Sequence, residues 1–234
     1  MLPTSNLRRF TTLALLVCSI LVVSASPVAK REVPNTEGFV AENNNKKCHD
    51  LCKDVVPVNS SYYLCHDARL GPKELPTHFP LDDITHPYDR LGGLCAAEFL
   101  SKWTIKGSYT YPPKDGFQLD INANPIEGRM TLVVGMLLDR FGSEYGAYLS
   151  PAEAPYPQRA LPPSNLDTPP DNKQYPYNYH VYKVVNEFVV SAGPIAPWFG
   201  QPGQGVQYHT DISIMNLISG GYLERVSLKH SKLF

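Results

Sequence analysis

Proline is the feature that most restricts how this chain folds. Its 234 residues include 22 prolines and 16 glycines, and prolines recur closely from Pro151 to Pro176. Proline has no backbone N–H to donate to a sheet and it breaks helix interiors, so this segment is predicted to wrap around strands rather than pair with them. Because 43% of the residues are hydrophobic, a packed core is still expected. The composition therefore favours a loop-rich, strand-dominated protein.

A second unusual stretch, GPIAPWFGQPGQGVQY, runs from Gly193 to Tyr208. It combines glycines and prolines with aromatic residues and glutamines, and it contains no charged side chain. Glycine and proline fix sharp turns, whereas aromatic faces can stack on a flat ligand. We predict that this stretch forms one wall of a binding pocket.

The N-terminus has the pattern of an export signal. Arg8-Arg9 precede an apolar segment from Leu13 to Val23, and small residues follow at Ser24-Ala25. The apolar segment is short for a membrane span, so we predict a cleaved signal peptide over residues 1–25, with a signal anchor as the alternative. The mature protein is then expected to be secreted or on the cell surface, with no membrane span. Lys30-Arg31 is either a second processing site or an ordinary pair of surface charges.

Cysteine usage agrees with export. Removing Cys18 with the signal leaves Cys48, Cys52, Cys65 and Cys95. Four cysteines in an oxidising compartment predict two disulfides, with three connectivities open. The Cys48-x3-Cys52 spacing does not fit the usual zinc motifs, so no metal site is expected. Asn59 begins Asn-Ser-Ser, a glycosylation acceptor typical of an exposed loop.

The pattern of cysteine and apolar residues changes near residue 110. Residues 26–110 form a polar lead-in followed by a cysteine-containing extension, and residues 111–234 form the second part. Runs of apolar residues predict strands over Met130–Leu138, Tyr179–Val185, Glu187–Val190 and Tyr222–Leu228, and helices over Leu94–Trp103 and Ile212–Ile218. The predicted fold class is α+β, rich in antiparallel strands, with few short helices and a disulfide-stapled N-terminal extension.

Several function classes are disfavoured by the sequence. The net charge of −1 gives no reason to expect a nucleic-acid partner. The chain contains no Gly-x-Ser-x-Gly elbow, no His-Glu-x-x-His motif, no phosphate-binding loop and no Rossmann fingerprint. The features that remain are arginines and aromatic residues beside turns.

Four ordered segments resemble a known family. LLDRFGSEYGAYLSP, QRALPPSNLDTP, YPYNYHVYKV and AGPIAPWFGQPGQGVQY occur here in the order found in TNT-type NAD glycohydrolases, named for the tuberculosis necrotizing toxin. The similarity is greatest to secreted fungal members that carry a cysteine-containing extension. The resemblance implies hydrolysis of NAD+ to nicotinamide and ADP-ribose. NAD+ is then a substrate, no cofactor is needed, and NADP+ is a further candidate substrate.

The resemblance implies roles for two arginines and a glutamine. A guanidinium binds phosphate bidentately, so Arg140 and Arg159 are candidates for holding the diphosphate. The alternatives are a surface ion pair for Arg140 and, for Arg159, a strut bonded to carbonyls of the proline segment. Gln207 matches the essential glutamine of the family, and its amide oxygen could face the cationic ribosyl centre. Gln201 and Gln204 are expected to be exposed.

Aromatic residues and a histidine complete the set. Phe141, Tyr148 and Phe199 are candidates for stacking on nicotinamide or adenine, whereas Trp198 is expected to be structural. His180, on a predicted strand, either faces the site or fills the core.

Two other function classes remain open at this stage. An ADP-ribosyltransferase would use the same substrate, but such enzymes generally need a glutamate late in the chain, and after Glu187 only Glu224 is present. A non-catalytic secreted module that binds NAD+ or another ligand is the second alternative. The family further implies a homodimer contact through the extension. A calcium site in the tail is not expected, because Glu224 is the only acidic residue after Asp211.

Overall fold

A seven-stranded antiparallel sheet and a separate two-stranded sheet organise the fold. The computed structural model describes residues 48–169 and 173–227. The strands are β1 Thr104–Ile105, β2 Ser108–Tyr109, β3 Gly128–Leu132, β4 Leu137–Phe141, β5 Tyr148–Pro151, β6 Tyr179–Val184, β7 Phe188–Pro194, β8 Val206–His209 and β9 Leu223–Val226. The order in the large sheet is β3-β7-β8-β5-β4-β6-β9, and β1 pairs with β2 in the small one. The helices are α1 Leu81–Thr85, α2 Ala96–Trp103 and α3 Ile214–Ser219. This arrangement confirms the α+β, antiparallel fold class.

The prediction of one buried strand over residues 130–138 is wrong. The structure divides this run into β3, at the edge of the sheet, and β4, in its interior. Gly135 lies in the turn between them with φ of 95°, a conformation that suits glycine. Val133 and Val134 are exposed in the connecting turn. The apolar run over residues 130–138 therefore contains a turn between two strands.

The proline segment wraps the sheet as predicted. After Pro151 the chain forms short 3₁₀ turns over Tyr156–Arg159, Pro163–Leu166 and Pro176–Asn178 and makes no further strand before β6 within residues 152–169 and 173–178. Tyr156 and Leu166 are fully buried and pack with α1 and with residues of β4 and β6. A separate apolar cluster, including Leu138, Tyr182 and Leu217, joins the sheet to α3. Burial on both faces holds β4 and β6 in place.

Two disulfides join the N-terminal part of the described chain, Cys48–Cys95 and Cys52–Cys65. They lie beside a third apolar cluster that unites α2 with Phe199. A Cβ atom built on Gly92 would lie 2.6 Å from the Cα of Gly200, so the two backbones touch. Parts of the chain before and after residue 110 thus pack together, and the division at residue 110 stays a prediction.

Other sequence-based predictions have separate outcomes. Asn59 is exposed and its side-chain oxygen accepts from the backbone N–H of Ala68, while its glycosylation stays a prediction. Within residues 48–169 and 173–227, no helix is long and apolar enough to cross a membrane. The predicted signal peptide, the Lys30-Arg31 pair and residues 228–234 of the tail lie outside the described residues.

Candidate active site

A cavity of about 620 Å³ opens between β4, β5, the turn over residues 111–116 and the start of β8. Its volume is ordinary for a small-molecule site, since such sites usually measure about 300–1,000 Å³. Four of the predicted site residues line it together with Gln207. The lining residues are Tyr111, Pro112, Lys114, Asp115, Gly116, Asp139, Arg140, Phe141, Gly146, Tyr148, Leu149, Ser150, Arg159, Ala160, Leu161, Asn165, Ile195 and Gln207.

Gln207 occupies a defined orientation in the cavity wall. Its backbone lies opposite Gly193 in the pairing of β7 with β8, and the residue is 8% exposed. The side-chain Nε2 donates to the backbone carbonyl of Asp115 at 2.8 Å. Only the NH2 end of an amide can donate, so this bond fixes which way the amide faces. Its Oε1 accepts no hydrogen bond from any residue that the structure describes, and it is the open acceptor at this wall.

The turn that holds Gln207 was not identified from the sequence. Lys114, Asp115 and Gly116 all have positive φ, of 54°, 55° and 80°. Side chains other than glycine rarely adopt this region, so two successive non-glycine residues here indicate a strained turn. Strain of this kind clusters at functional sites. The sequence Pro-Pro-Lys-Asp-Gly is typical of a turn. The contact of this turn with Gln207, 92 residues after Asp115, could not be predicted from that local pattern.

Arg140 lines the cavity with a half-buried guanidinium. Its Nε donates to the carbonyl of Ser143 at 2.8 Å and its Nη1 to the carbonyl of Tyr148 at 2.7 Å. Burial lowers the pKa of this guanidinium from its ordinary value, and an arginine side chain keeps its positive charge in proteins. It forms no salt bridge with the described residues, so the surface ion pair with Asp139 or Glu144 is not formed. An arginine held by carbonyls with donors to spare is suited to an anionic ligand.

Gly146 makes room for that guanidinium. A Cβ atom at Gly146 would lie 2.0 Å from Nη2 of Arg140, and Gly146 does not need the left-handed conformation. We therefore expect Gly146→Ala to displace the Arg140 side chain and to lower the free energy of unfolding by about 1–3 kcal/mol, because its bonds to two carbonyls are disturbed. Loss of a charged hydrogen bond to the ligand would raise KM about tenfold or more. Steady-state kinetics and a thermal melt check this, and an unchanged KM would contradict it.

Arg159 has a different environment. Its guanidinium forms a two-pronged ion pair with Asp139, at 2.5 and 2.7 Å, and both Nε and Nη2 donate to the carbonyl of Ala154. Asp139 is fully buried and also accepts from the hydroxyl of Tyr179 and the backbone N–H of Glu153. Arg159 therefore neutralises a buried carboxylate and braces the proline segment, in line with the strut alternative. Most of its donors are already occupied.

The predicted aromatic residues separate into two groups. Tyr148 lies at the cavity wall, where its ring stacks on His209 with centroids 4.6 Å apart and its hydroxyl donates to Asp115 at 3.3 Å. Phe141 lines the cavity but is 1% exposed, because it packs on Tyr156 and lies 5.1 Å from the guanidinium of Arg159. Tyr148 thus has the accessible ring, whereas Phe141 has no open face for stacking.

The Gly193–Tyr208 stretch only partly forms the cavity wall. Phe199 does not line the cavity; it packs in the third cluster against Trp103 and Tyr109. Trp198 donates from its indole to the carbonyl of Thr110 at 2.6 Å. Gln201 is 5% exposed and donates to the carbonyl of Asp89 at 2.6 Å, so its predicted exposure is wrong, whereas Gln204 is exposed. The middle of the stretch, from Trp198 to Gln201, anchors the extension, whereas Ile195 and Gln207 on either side of it line the cavity.

His180 also lies away from the cavity lining. It is 2% exposed, its Nε2 pairs with the Asn178 side chain at 3.1 Å, and its Nδ1 lies 3.6 Å from a carboxylate oxygen of Glu144. Burial lowers the pKa of His180 to about 4, and nearby Arg140 and Arg225 lower it too, which together outweigh the opposing effect of Glu144. His180 is therefore a neutral core residue at physiological pH.

This burial predicts an acid sensitivity. The unfolded chain protonates His180 near its ordinary pKa of about 6.5, but the folded chain does so only near about 4. The unfolded state thus binds more protons between these values, and stability falls as pH drops from 6.5 to 4, by about 3 kcal/mol from this residue. His180→Gln should lose this part of the slope in urea titrations at several pH values. An identical slope in the variant would assign the acid sensitivity to other groups, of which Glu144 is the nearest.

The residues described here do not form a metal site. Within residues 48–169 and 173–227, no group of three or more His, Cys, Asp or Glu side chains is placed to hold a metal ion.

A family model and a curated relative identify the family to which this chain belongs. The model of the tuberculosis necrotizing toxin (TNT) family matches residues 131–226. The conidial surface nicotinamide adenine dinucleotide glycohydrolase nadA of Aspergillus fumigatus is 50% identical over 214 residues, covering 89% of each chain. Among solved structures, tuberculosis necrotizing toxin complexed with its immunity factor is 18% identical, with a TM-score of 0.48, covering 72% of this chain and 96% of the toxin chain. Rhs1-CT in complex with its cognate immunity protein is 16% identical, with a TM-score of 0.29, covering 43% of this chain and 76% of that chain.

Proposed function

Because this chain belongs to the tuberculosis necrotizing toxin family, we propose that it is an NAD+ glycohydrolase that releases nicotinamide and ADP-ribose outside the cell. The observation that carries the proposal is the pairing, in one cavity, of the unpaired charge of Arg140 with the open amide oxygen of Gln207. The curated relative, half identical over most of its length, is named for the same reaction.

The reaction breaks the bond between C1′ of the ribose and the ring nitrogen of nicotinamide. The bonding electrons go to the ring nitrogen, so the cationic pyridinium leaves as neutral nicotinamide. A water oxygen bonds to C1′ and releases one proton to solvent. Because the leaving group becomes neutral without being protonated, no general acid is needed, unlike ordinary glycoside hydrolysis. The lack of a dedicated acid–base pair among the lining residues is compatible with this chemistry.

Two groups of the cavity meet the remaining demands. The guanidinium of Arg140, which forms no salt bridge with the described residues, binds the negatively charged diphosphate. The Oε1 of Gln207 faces the ribosyl centre, where a fixed dipole stabilises the positive charge that develops as nicotinamide departs. Tyr148 supplies an accessible ring beside them. The chain needs no cofactor in this scheme, and NADP+ fits the same reaction class.

The setting of the enzyme follows from several separate features. Two disulfides need an oxidising compartment, the N-terminal sequence has the pattern of a signal peptide, and the relative is named for the conidial surface. We include in the proposal secretion or display at the surface, a glycan on Asn59 and a homodimer. Sedimentation of the secreted protein before and after glycosidase treatment tests the last two.

Product analysis tests the proposed reaction. The secreted protein is incubated with NAD+, and nicotinamide and free ADP-ribose are quantified over time by chromatography. Equal amounts of the two products are expected. Nicotinamide release without free ADP-ribose would indicate transfer to an acceptor, and intact NAD+ with binding seen by calorimetry would indicate a non-catalytic module. Either result would contradict the proposal.

A further inference from the structure

Asp115 differs from the other carboxylate at the cavity. Two carboxylates line it, and Asp139 is neutralised by Arg159. Asp115 forms no salt bridge with the described residues, and the phenolic hydroxyl of Tyr148 is the only described side-chain donor to its carboxylate. It is the carboxylate of this cavity with a charge still available to a ligand.

The position of Asp115 relative to Gln207 is fixed by a direct bond. The backbone carbonyl of Asp115 accepts from Nε2 of Gln207 at 2.8 Å, so the two residues share one end of the cavity. Tyr148, on the strand β5 that pairs with β8, donates from its hydroxyl to Oδ1 of Asp115 at 3.3 Å and orients the carboxylate. The Oδ2 atom accepts no hydrogen bond from the part of the chain that the structure describes. An oriented carboxylate with a free oxygen is suited to accept from a sugar hydroxyl.

We propose that Asp115 is a catalytic residue whose carboxylate accepts a hydrogen bond from the 2′-hydroxyl of the nicotinamide ribose. This inference rests on the proposed function and adds a negatively charged group to it. As the C1′–N bond breaks, positive charge spreads over the ribosyl ring, and hydrogen bonds to the neighbouring hydroxyl strengthen in glycosyl transition states. A nearby carboxylate stabilises that charge more than it stabilises the bound substrate, which lowers the barrier.

The left-handed backbone of Asp115 makes a clean test available. With φ of 55°, this position suits glycine and asparagine, so Asp115→Gly and Asp115→Asn preserve the turn. Both variants also keep the backbone carbonyl that holds Gln207. Asparagine removes only the charge, whereas glycine removes the whole side chain. Loss of activity in these variants would therefore come from the carboxylate and not from a displaced Gln207.

The experiment compares two substrates in each protein. Nicotinamide release is measured with NAD+ and with an analogue whose nicotinamide ribose lacks the 2′-hydroxyl. For NAD+, kcat should fall about 10- to 100-fold in both variants, with KM changed less, because a charged hydrogen bond of the transition state is lost. For the analogue, the ratio of native to variant kcat should shrink to about threefold or less, since that bond cannot form. Asp211→Asn, a carboxylate 76% exposed and outside the cavity lining, is the matched control and should match the native protein.

The outcomes separate this inference from the proposed function. An unchanged kcat for NAD+ in both variants, or an equal loss with both substrates, would overturn the role of Asp115 while leaving the glycohydrolase intact. A native protein that releases no nicotinamide from NAD+ would overturn both. Thermal melts show whether Asp115→Gly or Asp115→Asn fails to fold. If one of them does, the kcat values of the other variant decide between these outcomes.

Discussion

Gln207→Ala is expected to lower kcat for NAD+ hydrolysis about 100- to 1,000-fold while leaving the protein folded. Removing one preorganised polar group that faces transition-state charge typically has an effect of this order. Gln207 lines the cavity, its amide oxygen accepts no hydrogen bond from the described residues, and the bond from Nε2 to the carbonyl of Asp115 fixes the orientation of the amide. Alanine removes both the acceptor and that anchor. Initial rates of nicotinamide release, with a thermal melt, measure the two effects separately.

The same stretch of chain supplies matched controls for this variant. Gln201 is also a buried glutamine that donates to a backbone carbonyl, but it contacts Asp89 and lies outside the cavity lining. Gln201→Ala should therefore lower the melting temperature and leave kcat within about twofold of the native value. The exposed Gln204→Ala should alter neither quantity. If Gln207→Ala turned over NAD+ at the native rate, the assignment of Gln207 would be wrong.

Arg159→Met is expected to destabilise the protein by about 3–5 kcal/mol. The substitution leaves Asp139 buried without its ion-pair partner, and breaking a buried pair from one side typically has this effect. The arginine is 3% exposed and the aspartate 0%, so water cannot replace the lost bonds. Methionine retains much of the side-chain volume, which keeps a cavity from adding to the effect. Urea unfolding followed by fluorescence measures the change.

A second substitution tests whether the buried charge is the cause. In the double variant Arg159→Met with Asp139→Asn, the unpaired charge is removed while an amide remains to accept from Tyr179. We expect the double variant to recover at least about 1 kcal/mol relative to Arg159→Met alone. A native urea midpoint in Arg159→Met together with a large rise in KM would contradict the structural role. That result would restore the diphosphate-binding role suggested by the family resemblance.

Much of the fold could be predicted from the distribution of turn-forming residues. Prolines after residue 151 predicted the wrapping segment, and the apolar segments Tyr179–Val185 and Ile212–Ile218 located β6 and α3 to within a few residues. The prediction of one strand around Gly135 was wrong, because apolar residues in an exposed turn have the same sequence pattern as those of a buried strand. Only the tertiary structure shows that Val133 and Val134 face solvent.

The site could be predicted only residue by residue. The family resemblance pointed to Gln207 and Arg140, and both line the cavity. It also grouped Arg140 with Arg159, because sequence does not reveal which carboxylate an arginine meets. Among the described residues, Arg140 has no carboxylate partner, whereas Arg159 is bound to Asp139. Asp115 was not predicted from the sequence. Its role depends on the hydrogen bond between its carbonyl and Gln207, 92 residues later, and on its left-handed backbone conformation. Long-range contacts of this kind leave no local pattern.

The location of the bound substrate is the most direct test of the central claim. A crystal structure of Gln207→Ala with NAD+ would use the slowed variant to hold intact substrate in place. The account predicts the diphosphate on the guanidinium of Arg140 and the nicotinamide ribose between position 207 and the carboxylate of Asp115. NAD+ bound outside this cavity, or with its adenosine end against position 207, would contradict it.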